Sequence, residues 1–173
     1  DSHAETLIRR CFQYFLYSQL SSADSENVIV EKYESKFRLK PKISLFLYIN
    51  SAPCGDSRIF TVSDKDSLHD KHPNRISRGV LRIKLDGGNS TVPLTNLEKY
   101  DLKRLMVMSC SDKLLKNNAL GLQGSLLSNF IEPIYLNGII IGDSFRKSHL
   151  TRALYERVED MMLPSPFSVH RPV

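Results

Sequence analysis

What the chain lacks excludes several classes of protein. Among its 173 residues no apolar run comes near the roughly eighteen that a membrane-crossing helix needs, and its polar first stretch lacks the pattern of a signal peptide. Its three cysteines are too few, and odd in number, for a disulfide framework. The sequence also shows no internal repeats. We therefore expect no membrane partner and no disulfide-rich secreted domain, but a protein of a reducing, intracellular compartment.

The composition is that of one ordinary soluble domain. Apolar residues make up 41% and charged residues 25%, and the length allows a real hydrophobic core. The formal net charge of +5 favours a polyanionic partner without identifying it. Because the chain opens at Asp1 rather than at a methionine and already has a candidate site residue at His3, we expect it to be part of a longer protein.

Hydrophobic periodicity predicts helices that alternate with strands. Apolar residues at steps of three and four predict a helix over residues 3–20, and the near-continuous apolar run 43–49 predicts a strand buried on both faces. A last helix is expected at 149–162, with Arg152 and Arg157 on an ordinary solvated face. The remaining predicted elements are strands at 28–33, 36–39, 105–108 and 135–141, and a helix that is capped by Ser111 or Asp112 and extends to Phe130.

Residues 61–100 differ in character, because they have little apolar periodicity and many basic side chains. One interpretation is a solvated basic loop, which is common; another is a surface that grips the phosphates of a nucleic acid. A segment of this length without regular structure is usually functional or disordered. The basic and histidine residues concerned are Lys65, His69, Lys71, His72, Arg75, Arg78, Arg82 and Lys84.

Three residues far apart in the sequence have the chemistry of metal ligands: His3, Cys54 and Cys110. A histidine and two cysteines with one open position can form a catalytic zinc site, whereas structural zinc sites are closed by four ligands. Glu5, close to His3 but not a ligand, could then carry protons. Spacing alone favours another interpretation, in which Ser2 and Glu5 form a helix capping box and the cysteines are structural.

Longer strings around these residues reverse that judgement. The chain contains His-Ala-Glu at 3–5, Ser-Ala-Pro-Cys-Gly-Asp-Ser-Arg-Ile-Phe at 51–60, Met-Ser-Cys-Ser-Asp-Lys at 108–113, Gly-Leu-Gln-Gly-Ser-Leu-Leu at 121–127 and Glu-Pro-Ile-Tyr-Leu at 132–136. Together and in this order they resemble the deaminase domain of the adenosine deaminases acting on RNA. The likeness covers essentially all 173 residues and corresponds to the central part of that domain.

The resemblance implies an α/β fold of the cytidine-deaminase-like type, a sandwich with a mixed β-sheet and helices on its faces. It implies one catalytic Zn²⁺ held by His3, Cys54 and Cys110, with Glu5 as the proton carrier. The implied reaction is hydrolytic deamination of a flipped-out adenosine to inosine in double-stranded RNA. Residues 61–100 would form a basic RNA-contacting loop insertion, and a nuclear or cytoplasmic location is expected.

Three further residues match substrate-contacting positions of the family. Leu47 and Arg58 correspond to its base pocket, although Leu47 could equally be a core residue of its strand. Asn89 stands where the family normally has a glutamate that enters the duplex in place of the flipped base. Asn can donate and accept hydrogen bonds without a charge, so we expect base flipping to persist with a different efficiency and pH dependence.

The family also buries an inositol hexakisphosphate beneath its active site. A polyanion there would explain how arginines of the first helix could lie in the interior. Asp1 and Lys113 would link this group towards the zinc, and Lys116 and Asn117 stand where arginine and tryptophan are usual. The residues that match contact positions are Arg9, Arg10, Lys113, Lys116 and Ser125.

Two other functions share parts of this pattern. The tRNA-specific adenosine deaminases have the same zinc motifs, but His-Pro-Asn-Arg at 72–75 and Arg-Gly-Val-Leu-Arg-Ile-Lys at 78–84 favour the branch that edits double-stranded RNA. Catalytically silent RNA-binding relatives, such as the testis-type deaminase-domain proteins, have lost ligand or glutamate positions. This chain keeps all four of those residues, which argues against a silent protein.

Overall fold

A computed structural model of the chain describes residues 3–21, 27–59, 77–85, 90–95 and 107–172. Helices and strands are mixed along these ranges, which confirms the predicted α/β class. The helices are α1 (Ala4–Ser21), α2 (Cys110–Leu120), α3 (Gly124–Leu127) and α4 (Lys147–Leu154). The strands are β1 (Val30–Tyr33), β2 (Lys36–Leu39), β3 (Phe46–Ser51), β4 (Arg82–Lys84), β5 (Thr91–Pro93) and β6 (Gly138–Asp143), and single 3₁₀ turns lie at Asp56–Arg58 and Glu156–Val158.

The hydrophobic core is built from one face of α1, α2 and the parallel strand pair β3–β6. Leu16 of α1, Ile49 of β3 and Leu114 of α2 belong to one buried cluster. In α1 the full burial of apolar side chains is confined to the second half of the helix, where Leu16 is 0% exposed, whereas Leu7 and Ile8 in the first half are 44% and 52% exposed. The predicted first helix is confirmed, and it brings the start of the chain against the end of β3.

β3 is buried on one face only, so the prediction of a strand buried on both faces was wrong. Leu47 and Ile49 point into the core, whereas Phe46 is 60% and Tyr48 64% exposed. The alternation follows from the two-residue period of a strand when a single layer of helices covers the sheet. In the described part of the chain β3 pairs with β6, and Leu47 lies opposite Ile139.

The predicted helix from Ser111 or Asp112 to Phe130 was wrong at both ends. It starts earlier, because Ser109 is the N-cap and its Oγ accepts a hydrogen bond from the Asp112 backbone N–H at 3.2 Å. It ends at Leu120, because Gly121 adopts φ +78° and its missing Cβ leaves room for the Gln123 side chain. Gln123 then donates to the Leu120 carbonyl at 2.8 Å, which closes the helix end.

The last predicted helix, 149–162, was too long. α4 ends at Leu154, and a 3₁₀ turn at Glu156–Val158 follows it. The predicted strand at 135–141 is shifted to β6, which begins at Gly138. Boundaries of this kind are set by capping and packing contacts that periodicity does not contain.

The described parts of the basic segment contain an antiparallel pair of strands rather than an irregular loop. Ile83 of β4 pairs with Val92 of β5 and forms a bridge with Met108, which leads into α2. Arg82 is 1% and Lys84 6% exposed, so neither belongs to the expected basic surface. Lys65, His69, Lys71, His72 and Arg75 lie outside the described residues. None of the described helices has the length and apolarity needed to cross a membrane.

Candidate zinc-dependent active site

Three separate elements bring the predicted metal ligands together. His3 directly precedes α1, and its carbonyl accepts the backbone N–H groups of Thr6 and Leu7 that begin the helix. Cys54 follows the end of β3, and Cys110 is the first residue of α2. Both cysteines are free and buried, whereas His3 is half-buried.

The spacing of these ligand atoms fits a tetrahedral metal. The ligand atoms of His3, Cys54 and Cys110 all lie within 4.8 Å of one another, and His3 Nδ1 is 3.9 Å from Cys54 Sγ. Zinc bonds of about 2.3 Å to sulfur and about 2.0 Å to nitrogen set tetrahedral ligands roughly 3.5 to 3.8 Å apart. The three residues therefore fit a zinc site that leaves one coordination position open.

Direct hydrogen bonds join residues 53–57 (the Cys54 loop) to residues 109–112 (the Cys110 loop). The Ser111 backbone N–H donates to the Cys54 carbonyl at 2.9 Å, and the Ser111 hydroxyl donates to the same oxygen at 2.9 Å. The hydroxyls of Ser57 and Ser111 are 2.8 Å apart. Gly55, at φ +108°, allows this approach, because a Cβ there would overlap the Ser109 side chain.

The two thiols are electrostatically unequal. The hydrogen bond from the Cys110 side chain is the largest cause that lowers the pKa of Cys54 to about 6, assisted by the Cys110 backbone N–H and by the charges of Lys84 and His3, against burial. The pKa of Cys110 is raised by the same hydrogen bond, by burial and by the negative charges of Cys54 and Glu5. Without metal, these directions favour the thiolate at Cys54 and the proton on Cys110.

A buried lysine completes the site. Lys84 Nζ lies 3.3 Å from Cys110 Sγ, with both residues buried. A cation at this position favours the thiolate form that binds metal. The sequence placed Lys84 in an RNA-contacting string, and no local pattern indicated this contact, because it depends on the bridge between β4 and the segment before α2.

Glu5 lies in the first turn of α1, two residues after His3, where its charge acts on Cys110. It is half-buried, and its charge contributes to the raised pKa of Cys110. Glu5 and Leu47 both line a cavity of about 390 Å³ between α1 and β3. The capping-box alternative involves Ser2, which lies outside the described residues.

Comparison with known proteins decides which family carries this site. The family model of the adenosine-deaminase (editase) domain matches residues 1–173. The chain belongs to this family. It is 40% identical to the double-stranded RNA-specific editase Adar of Drosophila melanogaster, over 99% of this chain and 28% of that protein. It is 38% identical to the double-stranded RNA-specific editase B2 of Mus musculus, over 100% of this chain and 26% of that protein.

A more distant likeness extends to enzymes of transfer RNA. The chain is 27% identical to the tRNA-specific adenosine deaminase 1 of Saccharomyces cerevisiae, over 93% of this chain and 45% of that protein. This editase-domain chain spans about a quarter of the length of the two editases that it matches. Its cytidine-deaminase-like α/β class is that of the family.

The residues expected to contact substrate have different surroundings in this editase domain. Leu47 is a member of the core cluster as well as part of the cavity wall beside Glu5. Arg58 is exposed near the Cys54 loop, and its Nη1 donates to Ser51 Oγ at 3.4 Å. Asn89 lies outside the described residues. The expected substrate contacts of all three stay predictions.

The residues expected to contact inositol hexakisphosphate fall into two groups. Arg9, Lys116 and Ser125 line a cavity of about 410 Å³ beneath α1. Arg9 Nε is buried with no hydrogen-bond partner among the described residues, and burial lowers the pKa of its guanidinium. Arg10 is exposed and Lys113 half-buried. Burial and the charge of Lys84 lower the Lys113 pKa, and Arg10 adds to this effect.

Proposed function

We propose that the protein catalyses the zinc-dependent hydrolytic deamination of adenosine to inosine in double-stranded RNA. The observation that carries this proposal is the convergence of the ligand atoms of His3, Cys54 and Cys110 within 4.8 Å of one another, with Glu5 in the helical turn that follows His3. Two thiolates, one imidazole and a nearby carboxylate that is not needed as a ligand form the donor set of a zinc deaminase.

The residues divide the chemistry between them. Zinc, when bound, supplies the acidity that makes a water nucleophilic near neutral pH. Glu5 accepts the proton of the attacking water on its carboxylate and delivers it to the adenine ring nitrogen; it then moves a second proton to the departing amino group. The oxygen ends on C6, the C6–N bond breaks, and adenosine and water become inosine and ammonia.

The RNA substrate is proposed from charge and from the relatives. Two of the matched proteins are named as double-stranded RNA-specific editases, and the chain carries a net charge of +5. Arg58 is exposed four residues after Cys54. We assign Arg58 and Leu47 to the base pocket and Asn89 to the duplex side of the flipped base.

A test of substrate and metal uses the protein purified at its full natural length. We expect inosine to form in an RNA duplex and not in either strand alone, to disappear when a chelator removes zinc, and to return when zinc is restored. Deamination of tRNA without deamination of the duplex would favour the tRNA branch, for which the 27% identity to the yeast enzyme is the supporting observation. Binding of the duplex without any inosine would favour a silent RNA-binding protein.

We also propose that the cavity beneath α1 holds inositol hexakisphosphate. A buried guanidinium nitrogen without a partner is costly unless an anion occupies the space next to it. Arg9, Lys116 and Ser125 line that cavity, and their cations and hydroxyl suit a polyphosphate. Arg10 and Lys113 would bind its outer phosphates or extend the positive potential towards the zinc. The nuclear or cytoplasmic location expected from the sequence stays a prediction.

The test of this cofactor compares two arginine variants. Inositol hexakisphosphate recovered from denatured, purified protein should be stoichiometric in wild type and strongly reduced in Arg9→Gln. Arg38→Gln is the matched control, because Arg38 does not line the cavity. Its Nη2 forms a surface ion pair with Glu31 Oε1 at a distance of 2.7 Å. Equal recovery from Arg9→Gln and wild type would contradict the assignment.

A further inference from the structure

Each cysteine of the zinc site is followed two residues later by a buried aspartate that pairs with an arginine. Asp56 follows Cys54 and is 0% exposed, and Asp112 follows Cys110 and is 1% exposed. Their partners, Arg152 and Arg157, lie five residues apart in and just after α4. Two loops that are distant in sequence are thus both attached to the same short stretch.

Arg152 holds the Cys54 loop with a two-point contact. Its Nε donates to Asp56 Oδ2 at 2.8 Å, and its Nη2 donates to the Asp56 backbone carbonyl at 3.0 Å. The other carboxylate oxygen of Asp56 accepts the Gly79 backbone N–H at 2.9 Å. His149 Nδ1 lies 3.1 Å from Arg152 Nη2. These contacts fix both the side chain and the backbone of the residue two positions after Cys54.

Arg157 holds the Cys110 loop in a similar way. Its Nη2 donates to Asp112 Oδ1, while its Nε and Nη1 donate to the carbonyls of Ala153 and Val80, each at 3.1 Å. Asp112 Oδ2 accepts the Arg82 backbone N–H at 2.8 Å and the Ser109 hydroxyl at 2.7 Å. The aspartate therefore joins the 3₁₀ turn after α4, strand β4 and the N-terminus of α2, which begins with Cys110.

The prediction that these two arginines lie on a solvated face was wrong. Arg157 has an 8% exposed side chain and Arg152 a 19% exposed one. A planar guanidinium can hold a carboxylate and a backbone carbonyl at once, which a lysine ammonium does less well. Neither aspartate is itself a metal ligand in this arrangement, so the pairs act on the ligands through the backbone.

We propose that Arg152 and Arg157 are positioning residues, which hold the Cys54 and Cys110 loops at the separation that zinc requires. The inference rests on the proposed function of the His3, Cys54 and Cys110 group as a zinc site. Residues that support a ligand from outside the coordination sphere affect metal affinity in many proteins, commonly by about 10- to 100-fold. Here the support comes from two buried ion pairs that share one helical stretch.

A purely structural role predicts a different result from a positioning role. A buried ion pair that loses one partner destabilises the fold, whereas removal of both charges can leave stability nearly unchanged. Metal binding should not be restored in the same way as stability. An uncharged pair cannot reproduce the two-point contact of Arg152 with Asp56, so the Cys54 loop would stay out of position for zinc. A variant that lacks both charges should therefore regain stability without regaining zinc affinity.

The experiment measures metal binding by the full-length protein. Arg152→Lys and Arg157→Lys should each lower zinc affinity in a chelator competition by about tenfold or more, and should change the visible absorption of bound Co²⁺. Arg38→Lys is the matched control, because it alters a surface ion pair and should change neither quantity. Wild-type affinity and an unchanged Co²⁺ spectrum in both folded variants would overturn the inference.

The double variant Asp56→Asn with Arg152→Gln covers the case in which a single substitution prevents folding. We expect it to recover most of the wild-type melting temperature while zinc affinity stays low and the Co²⁺ spectrum stays altered. Recovery of both stability and metal binding would overturn the positioning role and leave a structural one. Failure of wild type itself to bind zinc would instead overturn the proposed function, and this inference with it.

Discussion

The ammonium of Lys84 lies 3.3 Å from the sulfur of Cys110, inside the protein. Its positive charge would offset part of the negative charge that two thiolates bring to a bound zinc ion. Replacement by methionine keeps much of the side-chain volume and removes the charge. We predict that Lys84→Met lowers zinc affinity by about tenfold, as measured by chelator competition.

Lys36→Met is the control for that prediction. Lys36 Nζ donates to the Ser128 carbonyl at 2.9 Å, so this variant also removes a lysine that makes a hydrogen bond, but away from the thiols. Zinc affinity should be unchanged in Lys36→Met. The same small loss in both lysine variants would show that the Lys84 contact has no specific effect on the metal.

Zinc binding should displace protons in a way that depends on pH. The pKa of Cys54 is lowered to about 6, so above that pH it is already a thiolate, whereas the raised pKa of Cys110 keeps that thiol protonated. A metal ligand must be deprotonated. The number of protons released per zinc should therefore rise by about one, from Cys54, between about pH 7.5 and about pH 5.

The proton count is measured by titration calorimetry of the metal-free protein in buffers that differ in ionisation enthalpy. The sign follows from Cys54, because a thiol that gains a proton as the pH falls through about 6 must lose it again to bind zinc. Zinc affinity should weaken over the same range. A proton release that stays constant, or falls, on acidification would contradict the assignment of Cys54 as the metal-free thiolate.

Gly55 should tolerate a side chain less well than Gly79. Both have positive φ, +108° and +70°, so alanine at either position carries a backbone penalty of about 1 to 2 kcal/mol. At Gly55 the new Cβ would also overlap the Ser109 side chain, whereas at Gly79 the nearest atom is Arg152 Cδ at 3.9 Å. Urea unfolding should show a larger loss of stability for Gly55→Ala. Equal losses would mean that the close approach of the two loops contributes little.

The sequence predicted which three residues come together, but not all of their surroundings. His3, Cys54 and Cys110 were recognisable because each lies in a distinctive string, and the structure brings them together. Lys84 was not recognisable as a neighbour of Cys110, because its role depends on which strand β4 pairs with. A basic residue among other basic residues is expected to lie at the surface, and only the pairing of its strand shows that it is buried.

The same limit applies to the elements around the site. The periodicity of α1 predicted its extent well, because apolar residues at steps of three and four fall on one side of a helix. Periodicity could not reveal that Arg152 and Arg157 face inward. An arginine of a buried ion pair cannot be told from a solvated arginine by sequence until its acidic partner is identified. Asp56 and Asp112 are those partners, and both lie inside the strings that identified the cysteines.

The proposed reaction depends on Glu5 as the residue that moves protons at a zinc site. The most direct measurement is inosine formation in an RNA duplex by wild type and Glu5→Gln, with zinc content determined in both. We predict that wild type forms inosine and that Glu5→Gln forms essentially none while it retains zinc. Inosine formation by Glu5→Gln at the wild-type rate, or zinc-loaded wild type that forms no inosine, would contradict the account.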